Sequence, residues 1–113
     1  DSIQHVQQDL NIHLYAPEVL PAGFSLVKIA VVYREDNVPR IIYDYSDGLI
    51  ILQMYQRKTG TKERKKRVES DFISEIKNGV YLGFGGDAVN NVKKDVILKS
   101  FDSIKLVNEK ITN

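Results

Sequence analysis

Seven basic side chains crowd into one short stretch of this chain, Arg57, Lys58, Lys62, Arg64, Lys65, Lys66 and Arg67, with Glu63 the only acid among them. Such a density attracts phosphates by Coulomb interaction and counterion release, whether on nucleic acid, anionic lipid or a wall polymer. No aromatic residue is interleaved between Arg57 and Arg67, so base stacking from this run has no support and nucleic acid is not the expected partner. The competing reading is a long, mobile, solvated hairpin loop whose charges keep a sheet edge from pairing with other chains. A second set of candidates is aromatic: Tyr33, Tyr43, Tyr45, Tyr55 and Tyr81 fall on apolar runs. The first four are read as a possible groove, or as core residues with a hydroxyl at the margin, and core use is the expectation.

The other reactive side chains give weaker patterns. His5 and His13 are eight apart with no ligand cluster beside them, whereas helical metal ligands need a spacing of about four. No metal and no cofactor is expected. Gly83-Phe-Gly85-Gly-Asp-Ala88 matches a dinucleotide-binding turn between strand and helix. That turn works in a parallel strand-helix-strand unit, and here the strand belongs to a hairpin, so a flexible strand-to-helix link is the reading. Asp44, Asp47, Glu69, Asp71 and Glu75 fit solvated strand and turn positions, and a catalytic pair would need a shared cleft. No Gly-x-Ser-x-Gly elbow is present, so no nucleophile is assigned and the chain is not expected to be an enzyme.

The elements that must position these residues follow from periodicity. Phe24 to Tyr33 alternates, with Val27, Ile29, Val31 and Tyr33 on one face and Leu26, Lys28 and Ala30 on the other. Arg40 to Ser46 puts Ile41, Tyr43 and Tyr45 on one side, and Ser46-Asp47-Gly48 is a tight-turn signal. Leu49 to Gln56 begins apolar on both faces, the mark of a central strand covered from two sides. Asp71 to Ile76 and Val80 to Phe84 are strands joined by Lys77-Asn78-Gly79, a type I′ turn signature.

Ser2 to Leu10 fits a short amphipathic helix capped by Ser2 and ended at Asn11. From Asp87 to Phe101 the period becomes helical again, through Val89, Val92, Val96, Leu98 and Phe101, with Asp87 or Asn90 as the cap. Ser103 to Val107 fits either an extension of that helix or a short final strand. The sum is an α+β domain: a five-stranded antiparallel meander sheet with an N-terminal and a C-terminal helix packed on one face. Its expected core contains Leu26 or Val27 with Ile51, Leu52, Ile73, Leu82, Val92 and Val96.

Length and composition set the outer bounds. At 113 residues the chain (1–113) is a single domain. The absence of cysteine excludes disulfides, thiolate metal sites and cysteine nucleophiles. No run approaches the roughly 18 apolar residues of a membrane span. Because the sequence starts at Asp1, a processed or partial chain with an upstream membrane tether is the expectation. Charge is uneven: three basic and seven acidic residues lie up to Gln56, and thirteen basic and eight acidic beyond it, so the positive half is the one to meet an anionic partner.

Tyr15-Ala-Pro-Glu-Val-Leu-Pro-Ala-Gly-Phe24 resembles the Leu-Pro-x-Gly-Tyr/Phe opening of an uncharacterised bacterial domain family found in the extracytoplasmic parts of anti-sigma factors and in cell-envelope lipoproteins. Ser2 to Leu10, Tyr43 to Gln53 and Lys99 to Ile104 look like that family's leading helix, glycine-turn strands and closing helix. The tryptophan often seen in the family's fourth strand has no counterpart here. The resemblance implies a non-enzymatic extracytoplasmic sensor or binding domain of a membrane-anchored envelope protein such as an anti-sigma factor. Its implied partner is another envelope protein or an anionic membrane or wall surface. The alternative is a secreted small-ligand carrier, or a small hydrolase, using the tyrosine-lined face of the sheet.

Overall fold

Alternating burial along each strand organises the molecule. The computed structural model describes residues 2–107. In chain order these form α1 (Ser2–Leu10), β1 (Tyr15–Pro17), β2 (Ser25–Val32), β3 (Arg40–Ser46), β4 (Ile51–Lys58), β5 (Arg64–Val68), β6 (Ile73–Lys77), β7 (Val80–Gly85), α2 (Ala88–Asn91), α3 (Lys94–Asp102) and β8 (Ile104–Leu106). The main sheet has six strands in the order β2-β3-β4-β7-β6-β5, and β1 and β8 make a separate two-stranded sheet. Every pairing is antiparallel.

The expected five-strand meander is corrected in two ways. The basic stretch is not one hairpin loop: Arg57 and Lys58 end β4, and Arg64 to Arg67 form most of β5, the far edge of the sheet. The chain therefore leaves β4 for that edge and returns through β6 and β7, so β7, rather than β6 as a five-strand meander would have it, lies beside β4. A basic strand with no apolar period is stable there because an edge needs only one hydrogen-bonded neighbour and its charged residues after Arg64 are exposed.

Side-chain alternation gives the sheet one buried face. Tyr43 lies opposite Met54, Met54 opposite Phe84, and Phe84 opposite Ile73. These four join Ile41, Tyr45, Leu52 and Leu82 in one buried cluster with Leu14, Tyr15, Val89, Ile97, Phe101 and Ile104. Phe84 and Phe101 meet edge-on with centroids 5.1 Å apart, the geometry that the ring quadrupoles favour. Ile3, Val6 and Leu10 of α1 are partly buried against the same cluster.

Two buried glutamines hold the pieces in register. Gln56 Oε1 accepts from the Tyr15 amide at 2.9 Å and the Tyr43 hydroxyl at 2.7 Å, while its Nε2 donates to the His13 carbonyl at 3.2 Å. Gln7 Oε1 accepts from the Leu14 amide at 2.8 Å. The bonds to the Tyr15 and Leu14 amides and the Tyr43 hydroxyl satisfy buried polar groups. The turns at Gly48 (φ 98°) and at Asn78-Gly79 (φ 53° and 74°) adopt the left-handed conformations their sequences announce.

Several core assignments shift by one residue. A register irregularity between Leu26 and Lys28 turns Leu26 inward with Ile29 and Val31, leaving Val27 60% exposed. Ile51 is 41% exposed, because its neighbour Leu52 takes the buried position. The single C-terminal helix is broken at Val92-Lys93, which places Ile97 rather than Val96 in the core. Asp87 does not cap α2 with its side chain; Oδ1 accepts instead from the Ile51 amide at 2.7 Å. The open choice at Ser103–Val107 falls to a strand, since β8 pairs with β1. The Ser2 cap falls on a side chain outside the described residues.

Candidate functional site

The outer face of the main sheet gathers cations and aromatic rings. Arg57 and Tyr81 are cross-strand partners on β4 and β7, and the Arg57 guanidinium lies 4.6 Å from the Tyr81 ring centroid, within cation–π range. Tyr55, two residues back on the same face, packs against Phe72 with centroids 5.8 Å apart. Phe72 comes from the segment leading into β6, and its ring covers Gly83 and Gly85 on β7. A Cβ on Gly83 would sit 2.8 Å from Phe72 Cζ, and one on Gly85 would sit 3.0 Å from Phe72 Cε1. These glycines thus make room for a ring. The structure corrects their reading as a flexible link, since both lie within β7.

A polar chain fixes Tyr55. Its hydroxyl donates to Gln53 Oε1, and Gln53 Nε2 donates to Asp44 Oδ1 at 2.9 Å. Burial, then the Asp44 carboxylate and Tyr81, push the Tyr55 phenol above its ordinary pKa. The phenol therefore stays protonated at neutral pH and can donate.

Arg34, Arg40, Ile42, Tyr55, Arg57 and Tyr81 line a groove of about 270 Å³ on this face. Arg40 is neutralised by a fork to Asp36, with two N–H donors 2.9 Å from the two carboxylate oxygens. The hydrogen bonds from Arg40 and from the Val38 amide hold the Asp36 carboxyl well below the usual carboxylate range. Among the described residues Arg34 and Arg57 have no ion-pair partner, so the groove presents two guanidinium groups beside two phenols. No protein-family model matches this chain, and no curated protein matches it either.

The cations of the basic stretch separate into groups. Arg64 Nη2 donates to Ser74 Oγ at 2.8 Å, and Arg67 lies opposite Ser74, which itself pairs with Gly83. Arg57, Arg64 and Arg67 therefore share the aromatic face. Lys66 turns the other way, to Asp102 of α3 at 2.8 Å, and Lys58 lines a different cleft. Lys62 and Lys65 are exposed. The aromatic rings that the basic run lacks in sequence are thus supplied by β7 and the approach to β6.

The proposed tyrosine groove is not assembled. Tyr43 and Tyr45 stack in the core with centroids 6.3 Å apart, Tyr33 is exposed beyond the end of β2, and Tyr55 faces the opposite side of the sheet. Burial raises the pKa of both core phenols. Their role is packing, which is the use expected of them.

The remaining candidates are scattered. Asp47 Oδ1 accepts from the amides of Leu49 and Ile50 at 2.9 and 3.1 Å, which lowers its pKa and stitches the β3–β4 turn. Glu69 and Asp71 are exposed, and Glu75 lies on β6 opposite Leu82. His5 pairs with Asp9 on α1 at 3.2 Å. His13 lines the second cleft, about 400 Å³, with Ile12, Val38, Pro39, Lys58 and Val80. Among the described residues no three metal-ligating side chains converge, and no helix is long and apolar enough to cross a membrane.

Proposed function

We propose that this is a non-enzymatic binding domain of a membrane-anchored envelope protein, an anti-sigma-factor-like extracytoplasmic sensor, and that the outer face of its sheet meets an anionic envelope surface. The carrying observation is the groove in which Arg34 and Arg57, neither ion-paired among the described residues, lie beside Tyr55 and Tyr81. Guanidinium forks match phosphodiester oxygens, and phenol rings beside them provide an amphipathic surface at the headgroup level. Arg64 and Arg67 continue the positive strip across β5. In this reading the terminal helices cover the buried face, which leaves the outer face free for the partner. The resemblance of Leu20-Pro21-Ala22-Gly23-Phe24 and its flanking elements to envelope domains supports the extracytoplasmic setting.

The shared chemistry is the phosphodiester, carried either by a lipid headgroup or by a wall polymer. Co-sedimentation of the domain with phosphatidylglycerol vesicles, with phosphatidylcholine vesicles, and with a soluble polyglycerol phosphate competitor separates the sources. Binding to the anionic vesicles alone, weakening steeply with salt, supports the lipid source; loss of that binding to the polymer supports the wall. No binding to either anionic probe at low salt overturns the reading.

The small-ligand carrier is a second reading, favoured by the cleft of about 400 Å³ with its apolar walls and Lys58 and His13 beside them. Its size falls within the range of small-molecule sites. A thermal shift produced by small amphiphilic acids and abolished by Val80→Lys would favour it over the surface contact.

A further inference from the structure

The two edges of the main sheet are built in opposite ways. β5 is basic in four of its five residues, and its pairing with β6 is irregular between Arg64 and Arg67. Both features block strand addition. β2 is eight residues long, carries Lys28 as its one charged residue and contains no proline, and among the described residues its only sheet neighbour is β3. Val27 is exposed, as are Val32 and the adjoining Tyr33. An apolar edge of this kind is a template for another strand.

We propose that β2 is a self-association edge: two copies pair β2 with β2 antiparallel about a two-fold axis, joining their main sheets into one. The register follows from the strand itself. Its regular part runs from Lys28 to Val32, so an axis at Ala30 pairs the whole segment with its own copy. The same parity is kept, and each side chain stays on its own face. Ala30 then meets Ala30, Ile29 meets Val31 of the second copy, and Lys28 lies opposite Val32 of the second copy. No two lysines oppose each other, and the β-branched pair is of a type that stabilises sheets.

The asymmetry of the edges also sets the stoichiometry. Pairing β2 with β5 of another copy would set Lys28 against a row of Arg and Lys across an irregular ladder. The head-to-tail contact that would grow a filament is therefore disfavoured, and the β2 contact closes at two copies. A ladder this short lies at the small end of protein interfaces, so the dimer is a weak one.

The test is sedimentation equilibrium of the full chain over a concentration series up to about 1 mM, a range that reaches weak association. It is repeated for Val32→Glu and Val32→Lys, with circular dichroism melting to confirm that each variant folds. Val32 is on the outer side of an edge strand, so both variants keep the core. The parent is expected to form a dimer and nothing larger. Val32→Glu, which sets a carboxylate opposite Lys28 twice in the dimer, should tighten it about fivefold, and Val32→Lys should weaken it by a similar factor. A parent that stays monomeric throughout overturns the proposal and leaves β2 for a strand of a different protein. Growth beyond the dimer, or equal effects of the two variants, overturns it as well.

Discussion

The buried and outer faces of the main sheet are made by the same strands and differ only in which alternate residue is taken. On β4, Leu52, Met54 and Gln56 are buried while Ile51, Gln53, Tyr55 and Arg57 face outward. The buried face is apolar apart from Gln56 and the hydroxyls of Tyr43 and Tyr45, and it contributes most of the burial that stabilises the domain. The outer face is built from Arg, Tyr, Phe and Gly, with Phe72 seated on Gly83 and Gly85 and the cations left at the surface. The lesson is that strand parity divides the burial that stabilises the domain from the face proposed for recognition, so substitutions one residue apart should have unlike consequences.

The strongest test of that division pairs Leu52→Ala with Ile51→Asp. Leu52 is fully buried, and its truncation should cost about 2–5 kcal/mol of stability by lost transfer and the cavity left. Ile51, 41% exposed, should accept Asp at a cost within about 1 kcal/mol. Urea titration of both variants measures the contrast, and equal losses would break it. Next in size is Gln56→Leu, which leaves the Tyr15 amide and the Tyr43 hydroxyl buried without their acceptor. It should cost about 2–4 kcal/mol, in the same titration.

An intermediate effect probes the floor beneath Phe72. Gly83→Ala forces the ring off its seat and should destabilise by about 1–3 kcal/mol, with a changed Tyr55 and Tyr81 fluorescence environment. Gly83→Ala without either change would mean that the ring has room to move.

The smallest effect is pH dependence at the turns. Asp47 and Asp36 have folded pKa values below their unfolded ones, so the stability they contribute is present above the unfolded carboxylate pKa of about 3.9 and is lost as pH falls through the folded values. Melting temperature should therefore drop on going below about pH 4, and Asp47→Asn should flatten part of that slope. An unaltered slope would assign the acid loss to other carboxylates.

How much of this was legible in the sequence depends on the face. Ile41, Tyr43 and Tyr45 alternate so cleanly that β3 and its buried side were readable with their bounds. Leu49-Ile50-Ile51-Leu52 hides parity, because apolar residues occupy both phases and the pattern alone puts Ile51 in the core. The irregularity after Leu26 flips β2 without any Gly or Pro to mark it. β5 has no apolar period at all, and β1 and β8 pair residues that lie far apart in sequence, a contact that local pattern cannot show. The site was half legible: the density of Arg57–Arg67 was plain, but its aromatic partners Phe72 and Tyr81 arrive only through the β4–β7 and β6–β7 pairings. The glycines that seat Phe72 look in sequence like a phosphate loop.

The assignment of recognition to the outer face is tested most directly by two variants that remove equal charge from different places. Arg34→Gln with Arg57→Gln empties the groove of the two cations that have no ion-pair partner among the described residues; Lys62→Ser with Lys65→Ser removes two exposed cations from the loop and the edge. Both are compared with the parent by co-sedimentation with phosphatidylglycerol vesicles at low salt, with melting temperatures to confirm folding. The expected result is loss of binding in the arginine variant and retention of most binding in the lysine variant. Equal losses in the two would show that net charge alone governs binding and would contradict a site built on the Arg34, Arg57, Tyr55 and Tyr81 face.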